Sequence, residues 1–245
     1  MNIKKSCKLA KLFFLVICAF TFCAFADEEN ETPLSELPRY GDVAPNSSEA
    51  KADREFIEAA IRTAGSREAA FDKTMESGWH WFYEKDYGQA MRRFNQAWLL
   101  NPTHPAVFHG FGTTLGKMGQ KEEFIKWNKM SAEGGWGNAQ INMGWAYLRG
   151  YGVERNIEEA VQWYRKAAEQ NHPTGLNTLG LFYDWGYGVE RNPEKAKILY
   201  QRADKEGFEG DWKHLRRDMF IAENAEAANM SFQEILNELE KTNPL

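Results

Sequence analysis

The chain has 245 residues, a formal net charge of −5 at pH 7 and a 14% share of aromatic residues. An acidic balance argues against a protein that binds nucleic acid or an anionic membrane surface, because both classes depend on basic patches.

Residues 1–26 have the pattern of a signal peptide. An apolar run from Leu12 to Phe25 ends in the small-x-small cleavage site Ala24-Phe25-Ala26. The positive start before it consists of Lys4, Lys5, Lys8 and Lys11. The apolar run is shorter than the roughly 20 residues of a membrane-spanning helix. We therefore expect an exported protein, periplasmic or secreted, with no membrane span in its mature chain; an uncleaved anchor is the alternative. Cleavage removes four lysines and no acid, so the charge of −5 becomes −9.

All three cysteines, Cys7, Cys18 and Cys23, lie within this segment. The mature chain is therefore expected to have no disulfide, no thiolate metal site and no cysteine nucleophile. The five histidines show no spacing typical of metal ligands, so we expect neither a metal nor a cofactor.

Residues 27–46 contain three prolines, several acids and few large apolar residues, which predicts a flexible acidic leader. Residues 47–70 are predicted to hold an N-terminal capping helix that Ser47 and Ser48 cap and Gly65 ends. Ser66 is placed to cap the next helix. From there helix signals alternate with short turns and no period-2 strand pattern occurs, which predicts an all-α fold.

A repeat with an offset of 36 residues dominates the second half of the chain. The sequence GYGVERN occupies residues 150–156 and recurs unchanged at 186–192. Upstream of each copy, a glycine stands in the middle of a helix. The same position is occupied in all four units, by Gly78, Gly112, Gly144 and Gly180. A mid-helix glycine costs about 1 kcal/mol relative to alanine, so its recurrence predicts a backbone-to-backbone helix contact.

The second helix of each unit carries alanine, an aromatic residue and alanine on one face. The three sets are Ala90, Phe94, Ala97; Ala160, Tyr164, Ala167; and Ala196, Tyr200, Ala203. The unit between the first two sets is irregular, with Phe124, Asn128 and Ser131 instead. Four helix-turn-helix units, about 71–104, 105–137, 138–173 and 174–209, therefore predict a right-handed α-solenoid.

The first two units, residues 71–137, resemble tetratricopeptide repeats through EKDYGQAMRRFNQAWLLNP at 84–102. The last two, residues 138–209, resemble Sel-one-like repeats, a variant with a longer loop between its helices. Their matching segments are YLRGYGVERNIEEAVQWYRKAAEQ and FYDWGYGVERNPEKAKILYQRADKEG. Residues 210–245, with Trp212, Leu215, Met219 and Phe220 on one face, are predicted to be C-terminal capping helices.

The resemblance to tetratricopeptide repeats implies that the first helix of each unit lines a concave groove. Positions one, four and five beyond the repeat glycine then face the groove, together with a few residues upstream. The implied partner-binding residues are Trp79, Phe82, Tyr83, His109, Asn142, Trp145, Arg149, Asn177, Asp184 and Trp185. Exposed aromatic residues are typical of protein-binding hot spots. For each of them, packing against a neighbouring helix is the alternative.

Two other patterns could carry chemistry. The glycines of GYGVERN could cradle a phosphate, but Gly152 and Gly188 also suit a structural loop, with Asn156 and Asn192 capping the following helices. Ser48 and Lys51 form the Ser-x-x-Lys spacing of penicillin-recognising enzymes, without the Ser-Asp-Asn or Lys-Thr-Gly partner motifs.

The sequence therefore predicts a non-enzymatic adaptor of the cell envelope that binds a protein or peptide in its concave groove. One alternative is a β-lactam-binding or other envelope hydrolase that uses Ser48 and Lys51. Another is a structural spacer in a larger assembly. The repeats leave the oligomeric state and the identity of the partner open.

Overall fold

The computed structural model describes residues 37–39 and 46–208, and within these ranges it contains α-helices and no strand. The helices are α1 Ser47–Ala64, α2 Arg67–Tyr83, α3 Tyr87–Leu100, α4 Pro105–Lys117, α5 Lys121–Glu133, α6 Gly137–Arg149, α7 Ile157–Glu169, α8 Pro173–Trp185 and α9 Pro193–Lys205. The signal peptide, most of the leader and the C-terminal capping helices predicted above lie outside the described residues.

The start of α1 differs from the sequence prediction. Asn46, rather than Ser47 or Ser48, is the N-cap: its side-chain oxygen accepts from the backbone nitrogens of Ser48 and Glu49. The Glu49 carboxylate accepts from the Asn46 backbone nitrogen in return, at 2.9 Å. This reciprocal capping box satisfies more of the helix's free N–H groups than a serine alone, which explains the shift by one residue.

The boundary between α1 and α2 is as predicted. Gly65 ends α1 with a left-handed φ of 90°, and the Ser66 hydroxyl caps α2 by accepting from the Ala69 nitrogen at 3.0 Å. Because glycine adopts positive φ without steric cost, the Gly-Ser pair turns the chain directly from one helix to the next.

Consecutive helices pair into four units, α2/α3, α4/α5, α6/α7 and α8/α9, with α1 packed on the first. Within a unit the repeat glycine of the first helix meets the aromatic ring of the second. A Cβ on Gly78 would lie 2.5 Å from Phe94 Cε1, and one on Gly144 would lie 2.7 Å from Tyr164 Cε2. The contact is therefore between a glycine and a ring, not between two backbones as the sequence predicted, because the buried ring fills the space between the helices.

Gly175, a glycine of α8, does make the backbone contact. A Cβ there would lie 2.7 Å from Ala167 Cβ and 2.8 Å from the Ala168 nitrogen, both in α7. This is the close approach that joins the third unit to the fourth.

The alanines of the repeat form the interior of the solenoid. Those of the second helices have 0% or 1% of their surface exposed: Ala90, Ala97, Ala160, Ala167, Ala196 and Ala203. In the irregular unit, Asn128 takes the place of the aromatic residue over Gly112 and is fully buried. Its amide nitrogen donates to the Phe124 carbonyl at 2.9 Å, so this polar substitute is satisfied.

Candidate functional site

The first helices of the units approach one another along one side of the solenoid, which we call the first-helix face. Helix α2 packs against α4 and α6 against α8, whereas no two second helices pack as closely. Helices α4 and α6 are joined by a 3.1 Å hydrogen bond from Asn142 Nδ2 to Thr113 Oγ1. Side chains from different units can therefore form continuous clusters on this face.

The first cluster is aromatic and lies on α2 and α4. The Trp79 ring is 5.4 Å from Phe82, 6.4 Å from Tyr83 and 5.1 Å from His109, measured between ring centroids. Trp79 also packs edge-on against the buried Phe94 ring at 5.1 Å. The structure thus brings four of the predicted site residues together, and the tryptophan anchors them to the core.

Exposure differs sharply within this cluster. Tyr83 has 75% of its surface exposed, the largest fraction among the exposed large hydrophobic residues described, whereas Trp79 and Phe82 are half-buried. The cluster therefore offers one exposed ring on a rigid aromatic base, the arrangement expected of an anchor residue at a protein interface.

His109 contributes little surface. It is 8% exposed, and burial together with the nearby His172 lowers its pKa from 6.5 to about 4. The imidazole is therefore neutral at physiological pH and packs as a ring beside Trp79.

A second aromatic cluster surrounds Trp145 of α6. Its ring lies 6.1 Å from Phe124 and 5.1 Å from Tyr151, and it is half-buried. Tyr151 donates its hydroxyl to the Gly116 carbonyl at 3.0 Å, and the Lys121 ammonium lies 5.3 Å from the Tyr151 ring. Sequence reasoning missed Tyr151 as a member, although the tyrosine of GYGVERN recurs at both loop copies.

Asn142 joins the third unit to the second. Its amide nitrogen donates to Thr113 Oγ1 and, at 2.8 Å, to Asn128 Oδ1. It precedes the repeat glycine by two positions, whereas His109 and Asn177 precede theirs by three, so these residues are not equivalent. Asn177 is 6% exposed and, like His109, lies in the interior.

The remaining predicted residues lie at the ends of α6 and α8. Arg149 is exposed, whereas Asp184 and Trp185 are half-buried. The Trp185 ring packs on the hydrophobic core of the last two units, and the Asp184 carbonyl accepts from Arg191 Nε at 2.8 Å. This end of the face therefore presents mixed charge and less aromatic surface than α2.

The GYGVERN loops are structural joints between units. Gly152 and Gly188 have φ of 69° and 66°, and a Cβ on either would meet α5 or α7 of the preceding unit at 2.8 and 2.5 Å respectively. Asn156 and Asn192 cap the following helices, as predicted. The glycines therefore serve the close contact with the neighbouring unit, which supports the structural alternative for these loops.

The two loops are also linked to each other. Arg155 of the first donates through Nη2 to the Tyr187 hydroxyl of the second at 2.6 Å, and through Nε to the Leu148 carbonyl at 3.3 Å. The arginine thereby holds one unit's loop to the next.

Ser48 and Lys51 take part in local helix interactions. The Ser48 hydroxyl donates to Asn46 Oδ1 at 2.6 Å, and the Lys51 ammonium lies 3.7 Å from the Glu55 carboxylate one turn on. Both side chains are exposed on α1, and among the described residues no hydrogen bond joins them.

Residues 37–39 and 46–208 contain no group of three or more His, Cys, Asp or Glu side chains that could hold a metal ion. No helix in the same residues is both long and apolar enough to span a membrane.

The chain is similar to known repeat proteins. Residues 137–172 and 175–207 match the family model described as Sel1 repeat. A Sel1 repeat protein from Oxalobacter formigenes has 32% sequence identity, a TM-score of 0.48 and coverage of 60% of each chain. A protective antigen of uropathogenic Escherichia coli strains, which displays an SLR fold, has 28% identity and a TM-score of 0.50; the match covers 71% of this chain and 42% of that one.

The chain thus spans less than two thirds of the length of either solved structure. No curated protein matches it significantly. Residues 137–172 and 175–207 therefore match the Sel1 repeat pattern, and the described residues form an all-α solenoid of helical repeats.

Proposed function

We propose that this protein is a non-enzymatic adaptor that binds a protein or peptide on its first-helix face. Sel1 repeats commonly form protein-interaction scaffolds, which supports an interaction role in general. The observation that carries the proposal is the exposed Tyr83 ring on the Trp79 and Phe82 base.

An aromatic ring that is exposed to water is stabilised when a partner covers it. An aromatic side chain with three quarters of its surface exposed contributes little burial energy to the isolated fold, and burying it against a partner contributes roughly 2 kcal/mol. Because Trp79 and Phe82 hold the ring's surroundings in place, little conformational freedom is lost on binding.

Two finer parts of the proposal start from the sequence. Export to the periplasm or the medium rests on the signal-peptide pattern of residues 1–26. The absence of catalysis rests on the lack of a catalytic constellation in the sequence, and the local engagement of Ser48 and Lys51 supports it. Covalent labelling by a tagged penicillin that Ser48→Ala abolishes would overturn this part.

A photo-crosslinking amino acid at position 83 tests the binding face directly. The matched control carries the same amino acid at position 198, because Ile198 is 57% exposed on a second helix, α9. We expect a specific protein adduct from position 83 that position 198 does not form.

The partner identified in this way should then bind the purified full chain. Tyr83→Ala should weaken that binding at least tenfold, and Ile198→Ala should leave it unchanged. Equal adducts at both positions, or equal affinities of both variants, would contradict the proposed face.

A further inference from the structure

A segment of the leader lies on the second helix of the first unit. The Leu37 carbonyl accepts a hydrogen bond from Asn95 Nδ2 at 2.7 Å, across 58 residues of chain. Asn95 belongs to α3 and has 0% of its surface exposed. A buried amide needs hydrogen-bond partners, and the leader carbonyl is one of those that Asn95 has.

A second contact holds the same segment one turn further along α3. The Arg39 guanidinium carbon lies 5.7 Å from the centroid of the Trp98 ring. Asn95 and Trp98 are three positions apart and therefore share a face of the helix. Arg39 also has a left-handed φ of 51°, a conformation that a residue with a side chain rarely keeps without contacts that hold it.

These two contacts recognise different groups of a peptide. The Asn95 amide binds a main-chain carbonyl, which every residue carries, and so supplies affinity without regard to sequence. The Trp98 ring attracts a cation, and so selects an arginine or lysine two residues after that carbonyl. Neither contact uses the Leu37 side chain.

We propose that the face of α3 that carries Asn95 and Trp98 is a binding site for a short peptide segment with a basic residue, and that Leu37–Arg39 is its ligand in cis. This site lies on a second helix and is separate from the first-helix face, so the proposal is independent of the proposed function. A tethered ligand of this kind acts at an effective concentration on the order of millimolar, which a competing peptide has to exceed.

Trypsin cleavage after Arg39 in the full chain measures the cis contact. We expect slow cleavage in the wild type, and an increase of about fivefold in Asn95→Ala and in Trp98→Ala, because each variant loses one modest interaction. Gln96→Ala, on the same helix, is the matched control and should cleave at the wild-type rate. Cleavage after Arg92, within α3, is the internal reference for loss of the fold, because the helix has to unfold before trypsin can cut there.

Binding in trans tests whether the face is a site for a separate peptide. The full chain with Arg39→Ala, in which the cis ligand is weakened, should bind a fluorescein-labelled peptide of residues 33–43. The double variant Arg39→Ala/Asn95→Ala should bind it at least fivefold more weakly. Equal cleavage after Arg39 in wild type and both α3 variants would overturn the cis contact, and a peptide that binds neither chain would overturn the peptide site.

Discussion

Substituting Gly175 by alanine tests the closest helix contact in the solenoid. The added Cβ would lie 2.7 Å from Ala167 Cβ, 2.8 Å from the Ala168 nitrogen and 2.9 Å from the Ala167 carbonyl carbon. Two of these atoms belong to the backbone, and the third is a Cβ bonded directly to it. The clash can therefore be relieved only if α7 and α8 move apart. Overpacking of this kind costs up to about 3 kcal/mol, and the better helix propensity of alanine offsets about 1 kcal/mol of it.

We therefore expect Gly175→Ala to lower the free energy of unfolding by about 2 kcal/mol. For a protein of this size that corresponds to a decrease in Tm of about 6 °C. Urea denaturation followed by circular dichroism at 222 nm measures the free energy, and a thermal melt measures the Tm.

Gly180→Ala is the matched control in the same helix. Its Cβ would meet the Tyr200 ring at an equal 2.7 Å, but this ring is the end of a half-buried side chain and shifts more readily than a helix backbone. The overpacking cost is then small, the gain in helix propensity balances it, and the stability should change by less than about 0.5 kcal/mol. If the two variants lost the same stability, or if Gly175→Ala were unchanged, the distinction between backbone and ring contacts would be wrong.

Three more predictions concern the unit joints and the buried imidazole. A double-mutant cycle of Arg155→Gln and Tyr187→Phe should give a coupling of about 1 kcal/mol in urea denaturation, because the two groups share a 2.6 Å hydrogen bond; additive effects would contradict this link. Gly188→Ala should lower the free energy of unfolding by about 3 kcal/mol and Gly207→Ala by only about 1 kcal/mol, both measured by urea denaturation. Both glycines have positive φ, but only the Gly188 Cβ would clash, 2.5 Å from Ile157 Cγ2. The folded state lowers the pKa of His109 to about 4 from 6.5, so the unfolded state binds more protons between these values and stability falls as the pH drops through that window. Between pH 7 and pH 5 the wild type should lose about 2 kcal/mol more than His109→Leu, measured by urea denaturation at each pH, and parallel losses would refute the assignment.

The repeat architecture could be predicted because its signals are local. The capping asparagines before α7 and α9 and the alanine triplets each depend on residues within one or two helical turns, and the 36-residue offset is read directly by comparing the chain with itself. The all-α solenoid and the Sel1 repeats predicted from them are confirmed.

Contacts between helices were harder to predict. The repeat glycines meet rings of the paired helix, and Gly175, which is outside the repeat-glycine pattern, makes the backbone contact. Both outcomes depend on how closely two helices approach, which a periodic pattern does not state. The N-cap of α1 differs for a local reason, because Glu49, three residues beyond Asn46, completes the capping box.

The candidate site, too, could be predicted from the sequence only in part. The order of the helices along the chain determined that Trp79, Phe82, Tyr83 and Trp145 lie on first helices, and this order was readable from residue spacing. Their exposure was not readable, because it depends on which other helices pack against each residue. His109 and Asn177 are buried in the folded chain, whereas Tyr83 is exposed. Local spacing thus specifies which helix and which side a residue occupies, whereas the packing of units decides which of those residues a partner can reach.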